Sequence, residues 1–167
     1  MTHHAGRNLA LGSVRIGAPP ADVLECVSAA SDIASAVVDW FSAAQKRDDV
    51  YYFAIYREDQ LVGQIVLHDI DWSQQESLVA YHLFEERVRG QGIGTDALSL
   101  LQNFVRDDTN LRRLIIITSD DNAASQHVAQ KCGFIYTGAS RENPVHGLVF
   151  VWEVPRRHSK TRSPRTC

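Results

Sequence analysis

The stretch Arg89-Gly90-Gln91-Gly92-Ile93-Gly94-Thr95 constrains this chain more than any other. Three glycines fall within five residues, between an apolar run ending at Phe84 and a helical pattern starting near Ile93. Glycine lets the backbone turn tightly, and without a Cβ it lets a bulky anion lie against the amides. The helix beyond it points its unpaired first-turn N–H groups, and the positive end of its dipole, at the same place. Strand, glycine turn and helix in this order make a cradle for a phosphate or pyrophosphate. Two familiar phosphate loops do not fit. The chain has no Gly-Lys pair, so it has no P-loop. A dinucleotide loop counted from Gly90 needs glycine where Thr95 stands, and its ribose-binding acid, due about 20 residues on, falls near Asn110.

At 167 residues, 44% hydrophobic and 22% charged, the chain suits one globular domain with a sizeable core. No apolar run approaches the roughly 18 residues that cross a membrane. Met1 to Leu11 lacks a cationic region ahead of a long apolar one, so no secretion signal is expected. Cys26, Cys132 and Cys167 are too scattered for a disulfide framework or a zinc site. A cytoplasmic protein without a metal is the expectation. Residues 1–155 read as the single domain, and 156–167 as a basic, solvated, disordered tail. That tail holds five basic residues and no acidic ones, so the formal charge of −3 becomes −8 without it. An acidic body argues against nucleic acid as the main ligand and suits a cationic acceptor such as an amine. No membrane partner is expected.

Residues 9–16 alternate weakly and read as a first strand, and Pro19-Pro20 interrupts the chain. Asp22 to Ala30 and Ser35 to Lys46 carry helical apolar spacing. Tyr51 to Tyr56 and Leu61 to Ile70 form a hairpin around Glu58-Asp59-Gln60, and Glu76 to Phe84 adds a third antiparallel strand. On that strand Glu76, Leu78, Ala80, His82 and Phe84 share a face. A helix over about Ile93 to Arg106 carries Ala97, Leu98, Leu101, Phe104 and Val105 as its apolar stripe. Leu111 to Thr118 reads as a buried strand, Asn122 to Cys132 as a helix ended by Gly133, and 134–137 and 148–154 as closing strands.

Arg89-x-x-Gly92-x-Gly94 fits the pattern R/Q-x-x-G-x-G/A, and so resembles the acetyl-CoA pyrophosphate loop of the GNAT N-acetyltransferases. Val62-Gly63 resembles a further family feature on the second hairpin strand. Asn122-Ala123-Ala124-Ser125 followed by Lys131-Cys132-Gly133-Phe134 resembles the family's Asn-x-x-Ser/Ala…Gly-Phe signature. The gap of 33 residues from Arg89 to Asn122 also suits it. The resemblance covers residues 50–138 well and the rest loosely. It implies a mixed α/β (α+β) fold. A mostly antiparallel sheet of six to seven strands would splay in its middle, beside about four helices.

The resemblance also implies a function and its residues. Acetyl-CoA would donate directly to a primary amine, with no acyl-enzyme. The amine would be a peptide or protein N-terminus, or a small cationic molecule such as an antibiotic or polyamine. Backbone groups of His82, Leu83 and Phe84 would pair with the pantetheine arm as an added strand does. One of those N–H groups would stabilise the oxyanion. Arg89, Gly90, Gln91, Gly92, Ile93, Gly94 and Thr95 would hold the pyrophosphate. Asn122 reads as an N-cap, a groove ligand, or both. Seven residues after Asn122, where many members carry an acidic tyrosine, stands Ala129. Ser125 matches instead the branch that acetylates ribosomal-protein N-termini, and would donate to the leaving sulfur; Tyr136 is a substitute. His82, or Glu76 through water, would take the amine proton, each with a purely structural role as its alternative. Asp69, Asp71, Trp72, Trp40, Tyr51 and the loop Arg141 to Gly147 are candidates to line the acceptor site. A non-catalytic acyl-CoA sensor or scaffold is the competing reading, and a homodimer fits the family's habit.

Overall fold

The computed structural model describes residues 9–18 and 46–155. The helix expected over Asp22 to Ala30, all but the last residue of that over Ser35 to Lys46, Trp40, Cys26 and the tail 156–167 lie outside the described residues. The expected first strand is a hairpin of β1 (Leu9–Leu11) and β2 (Val14–Gly17), because the Gly12-Ser13 turn breaks the run and brings Leu9 opposite Ile16. β3 (Tyr51–Arg57) and β4 (Gln60–Asp71) meet through Glu58 and Asp59, both at positive φ (48° and 65°). That is the backbone which matches a tight turn to the twist of its strands.

β5 (Glu76–Leu83) runs antiparallel to β4. A short 3-10 turn over Glu86–Val88 leads to α1 (Ile93–Asp108). β6 (Arg113–Ser119), α2 (Ala123–Lys131), β7 (Ile135–Ala139) and β8 (Gly147–Glu153) complete the chain. All the described strands join one sheet in the order β1-β2-β3-β4-β5-β6-β8-β7. It therefore has eight strands rather than six or seven, and two α-helices are described. Among the described strands only β5 and β6 are parallel; every other neighbouring pair is antiparallel.

α1 packs where its sequence pattern points. Ile93, Ala97, Leu98, Leu101, Phe104 and Val105 are buried on one side of the helix. They meet sheet residues Ile16, Ile55, Ile65 and Leu67, which are wholly buried. Phe104 sits edge-on to Phe53 and Tyr51, with ring centroids 5.1 and 5.8 Å apart. This apolar bed fixes the start of α1 beside the end of β5.

Candidate active site

β5 and β6 pair over only three positions: Glu76 with Arg113, Ser77 with Leu114, and Leu78 with Ile115. Beyond them β5 stays with β4 while β6 stays with β8, so the sheet opens in its middle. The phase of the β4–β5 ladder says which backbone groups face the opening. Leu83 lies opposite Gly63, and the Phe84 N–H donates to the Val62 carbonyl at 2.9 Å. Antiparallel bonding alternates, so Ala80, His82 and Phe84 turn their backbone groups to β4, and Val79, Tyr81 and Leu83 turn theirs to the gap. Two bonds agree: Gln75, in the same odd-numbered phase, accepts from Arg113 N–H on β6, and Arg89 reaches across the gap side to the Leu83 carbonyl at 3.3 Å. The expected trio is thereby corrected. The backbone groups of Leu83 face the gap, as do those of Tyr81, while those of His82 and Phe84 are engaged by β4.

The glycine loop stands at one end of this gap. Gly90 and Gly92 have φ of 74° and 78°, which explains glycine at both. Gly92 is the N-cap of α1 and makes no side-chain cap bond. Helical bonding starts with Asp96 N–H donating to the Gly92 carbonyl, so the N–H groups of Ile93, Gly94 and Thr95 precede the ladder. Arg89, Gly90, Gly92, Gly94 and Thr95 line a cavity of about 430 Å³ that continues to Tyr81, Leu83, Asn122 and Ser125. Gln91 does not: its amide NH₂ donates to the Arg87 carbonyl at 2.9 Å and its oxygen accepts from Arg57. Its side chain buttresses the loop from behind.

On the far wall, Asn122 caps α2, its Oδ1 accepting from Ser125 N–H at 3.1 Å. The capping role is borne out, and Asn122 also lines the gap. The Tyr81 phenol oxygen lies 2.9 Å from Ser125 Oγ and 3.0 Å from the Ser125 carbonyl oxygen. Burial raises the Tyr81 pKa, with the Ser125 bond opposing. Sequence reasoning missed Tyr81 because it looked along the other face of β5. The available signal was a phenol on the strand face that carries buried Val79 and half-buried Leu83, opposite a helix without a tyrosine. Ala129 is wholly buried. Tyr136 is 53% exposed, packs against the Phe150 ring and lines neither cavity, so it is no substitute.

His82 lines the groove, and its pKa is lowered, first by partial desolvation and then by the Arg89 charge. Glu76 is at the closed end of the β5–β6 pair, where Arg113 bonds it at 3.3 Å and Glu153 at 2.8 Å. The structure does not bring Glu76 to the groove. Cys132 is half-buried between Ser99 and the Thr95 carbonyl, and desolvation raises its pKa, the opposite of what a nucleophile needs.

A second cavity, of about 700 Å³, opens on the same gap and shares Tyr81, Asn122 and Ser125 with the first. His68, Asp69, Ile117 and Glu142 line its outer part. Asp69 sits at φ 48° where β4 and β5 lose register, and its carboxylate meets His68 Nδ1 at 2.6 Å. Of the expected acceptor residues, Asp69 and Glu142 are here. Asp71 instead shapes the β4–β5 turn: the Ser73 hydroxyl and the Gln74 and Ser73 N–H groups donate to its carboxylate, and these bonds, the hydroxyl's foremost, lower its pKa. Trp72 and Tyr51 pack edge-on to each other toward Phe104. The Glu142 loop is tied to the end of β6, with Asp120 N–H donating to the His146 carbonyl at 2.7 Å and His146 Nδ1 3.1 Å from the Asp120 carboxylate.

Residues 16–135 match the acetyltransferase (GNAT) domain family. The ribosomal-protein-serine acetyltransferase of Escherichia coli (strain K12) is 34% identical over 90 residues, 54% of this chain and 50% of that protein. The chain spans about half the length of the curated relatives it matches. Among solved structures, RimL, a ribosomal L7/L12 alpha-N-protein acetyltransferase in complex with coenzyme A, has a TM-score of 0.74 at 16% identity, covering 89% of this chain and 98% of that one. RimJ of Mycobacterium smegmatis in complex with CoA-disulfide gives 0.71 at 17% identity, covering 88% and 86%. At such identities these two matches speak for the fold. With a family match over more than half of its length, an opened sheet and a glycine loop at the mouth of the opening, this chain belongs to the GNAT acetyltransferase family.

Proposed function

We propose that the protein is an acetyl-CoA-dependent N-acetyltransferase that moves the acetyl group directly to a primary amine, a protein N-terminus before a small cationic amine. The observation that carries this is the opening between β5 and β6, onto which both cavities give, one edged by anion-binding amides and the other by carboxylates. The residues fit an acyl-CoA. The first-turn N–H groups of α1 and the Arg89 guanidinium suit its pyrophosphate. The outward backbone groups of Tyr81 and Leu83 suit a pantetheine arm lying as a strand. A thioester carbonyl near them would find an N–H donor as its oxygen gains charge.

Asp69 and Glu142 give the second cavity an acidic rim that draws an ammonium group. His82, held neutral by its lowered pKa, takes the proton the amine must lose before attack. Ser125 donates to the leaving sulfur. The resemblance, over half of that protein's length, to a relative named for acting on a ribosomal-protein serine favours an N-terminal amine over other acceptors.

Free thiol release from acetyl-CoA, followed across small amines and peptides with free N-termini, tests the reading. Release with the peptides, lost in Gly92→Glu, is the expected result. Measurable CoA binding without turnover for any acceptor would favour a sensor instead.

A further inference from the structure

Tyr81 and Ser125 stand 44 residues apart in sequence and touch through two oxygen contacts, at 2.9 Å to Oγ and 3.0 Å to the carbonyl oxygen. The carbonyl only accepts, and a phenol has one proton to give. With that proton on the carbonyl, the contact to Oγ is made by the serine's own hydrogen. With it turned to Oγ, the serine hydrogen is released toward the groove. The two arrangements differ by the rotation of two hydroxyl hydrogens, and no heavy atom moves. We propose that Tyr81 and Ser125 form a two-hydroxyl relay, in which Tyr81 strengthens and recharges Ser125 as the proton donor to the departing sulfur. The inference rests on the acetyl-transfer reading above.

The surroundings suit this work. Both residues line both cavities, so the relay stands where donor and acceptor would meet. Asn122 pins the Ser125 backbone through its cap bond, leaving the hydroxyl as the moving part. α2 offers no tyrosine of its own, and the phenol arrives from the facing strand. Burial keeps Tyr81 protonated at working pH, the form a relay needs. A hydroxyl that accepts one hydrogen bond donates a stronger one, because chained bonds polarise each other.

The atoms balance. The amine nitrogen forms the bond to the acetyl carbon, and the C–S bond breaks with its electron pair on sulfur. Sulfur takes the Ser125 proton as Ser125 Oγ takes that of Tyr81. The ammonium has already passed one proton through His82 to solvent; after attack nitrogen gives up a second to water, and water returns one to the Tyr81 oxygen. The net change is amine plus thioester to amide plus thiol. Tyr81 acts through Ser125 and is a positioning residue.

Tyr81→Phe keeps the ring and removes only the hydroxyl. It is compared with Ser125→Ala and the double variant by kcat, KM and a calorimetric dissociation constant for CoA. Each single variant is expected to lose about a hundredfold in kcat, the low end of what a positioned proton donor supplies. CoA affinity should stay within about threefold, since no phosphate contact is touched. The double variant should lie within about threefold of the poorer single one, because residues acting as a unit are not additive. Wild-type kcat in Tyr81→Phe, multiplied losses in the double variant, or a fall in kcat matched by a fall in CoA affinity would each overturn the relay. A wild-type protein that binds CoA but releases no thiol with any amine overturns the transfer reading itself, and the relay with it. An active wild type beside an equally active Tyr81→Phe overturns the relay alone.

Discussion

His82 shows how a single residue ties this site to pH. Its ordinary value is about 6.5. Partial desolvation and the Arg89 charge lower it, so the neutral ring prevails at neutral pH. Between the lowered value and 6.5 the unfolded chain holds more protons than the folded one. Stability therefore rises with pH across that window and is lost as pH falls through it. Thermal midpoints followed from about pH 5 to 7.5 should show this slope, and His82→Gln should flatten it. If His82 takes the amine proton, the acid limb of kcat/KM lies below 6.5 and disappears in His82→Gln, with a rate loss of roughly a hundredfold. An unaltered limb in that variant would move the base elsewhere, with His68, Asp69 and Glu142 in the second cavity and His127 in the first as the other candidates.

At the scale of elements, the end of β5 depends on a residue of β4. A Cβ at Gly63 would run into the carbonyl oxygen of His82 and crowd Leu83. The Leu83 methyl could turn aside, but the His82 carbonyl oxygen and the Leu83 Cα are backbone that no side-chain rotation relieves. Gly63→Ala is expected to push the β5 end outward, costing about 1–3 kcal/mol of stability by overpacking. CoA affinity should weaken with it, because Leu83 faces the groove; denaturant titration and calorimetry read the two effects. Undiminished affinity would mean that the strand end has slack. This close approach gives Val62-Gly63 its physical reason, which the sequence presents only as a resemblance.

The same scale explains what could be read beforehand. The α1 stripe, the glycine loop and the Asn122 cap were legible because each is a local pattern whose partners lie within one turn or one loop. The β1–β2 hairpin was hidden because a two-residue turn leaves a weak alternation almost undisturbed. Asp71 resembled an acceptor ligand until its bonds to Ser73 and Gln74 placed it in a turn. Which of His82, Leu83 and Phe84 face the gap depends on ladder phase, which is set by β4 and leaves no mark in β5 itself. Tyr81 meets Ser125 only after a helix and a strand have intervened, and no periodicity connects them.

At the scale of the whole molecule, five described strands on one side and three on the other share an apolar core but are joined within the sheet by a pairing of only three residues. Strand edges are ordinarily found at the rim of a sheet, where proteins blunt them against pairing with foreign chains. Here two further edges lie in the interior of the sheet, along Val79 to Leu83 and along Ile116 to Ser119. Arg89 covers one carbonyl of the first edge. A cosubstrate arm laid between these edges would serve as a guard as well as a reactant. CoA should therefore raise the thermal midpoint by mass action and slow amide exchange at Tyr81 and Leu83. It should also slow the light-scattering onset on gentle heating more than an equal charge of inorganic pyrophosphate, which reaches only the loop. The ligand-stripped protein would then be the form most prone to recruit strands from its neighbours.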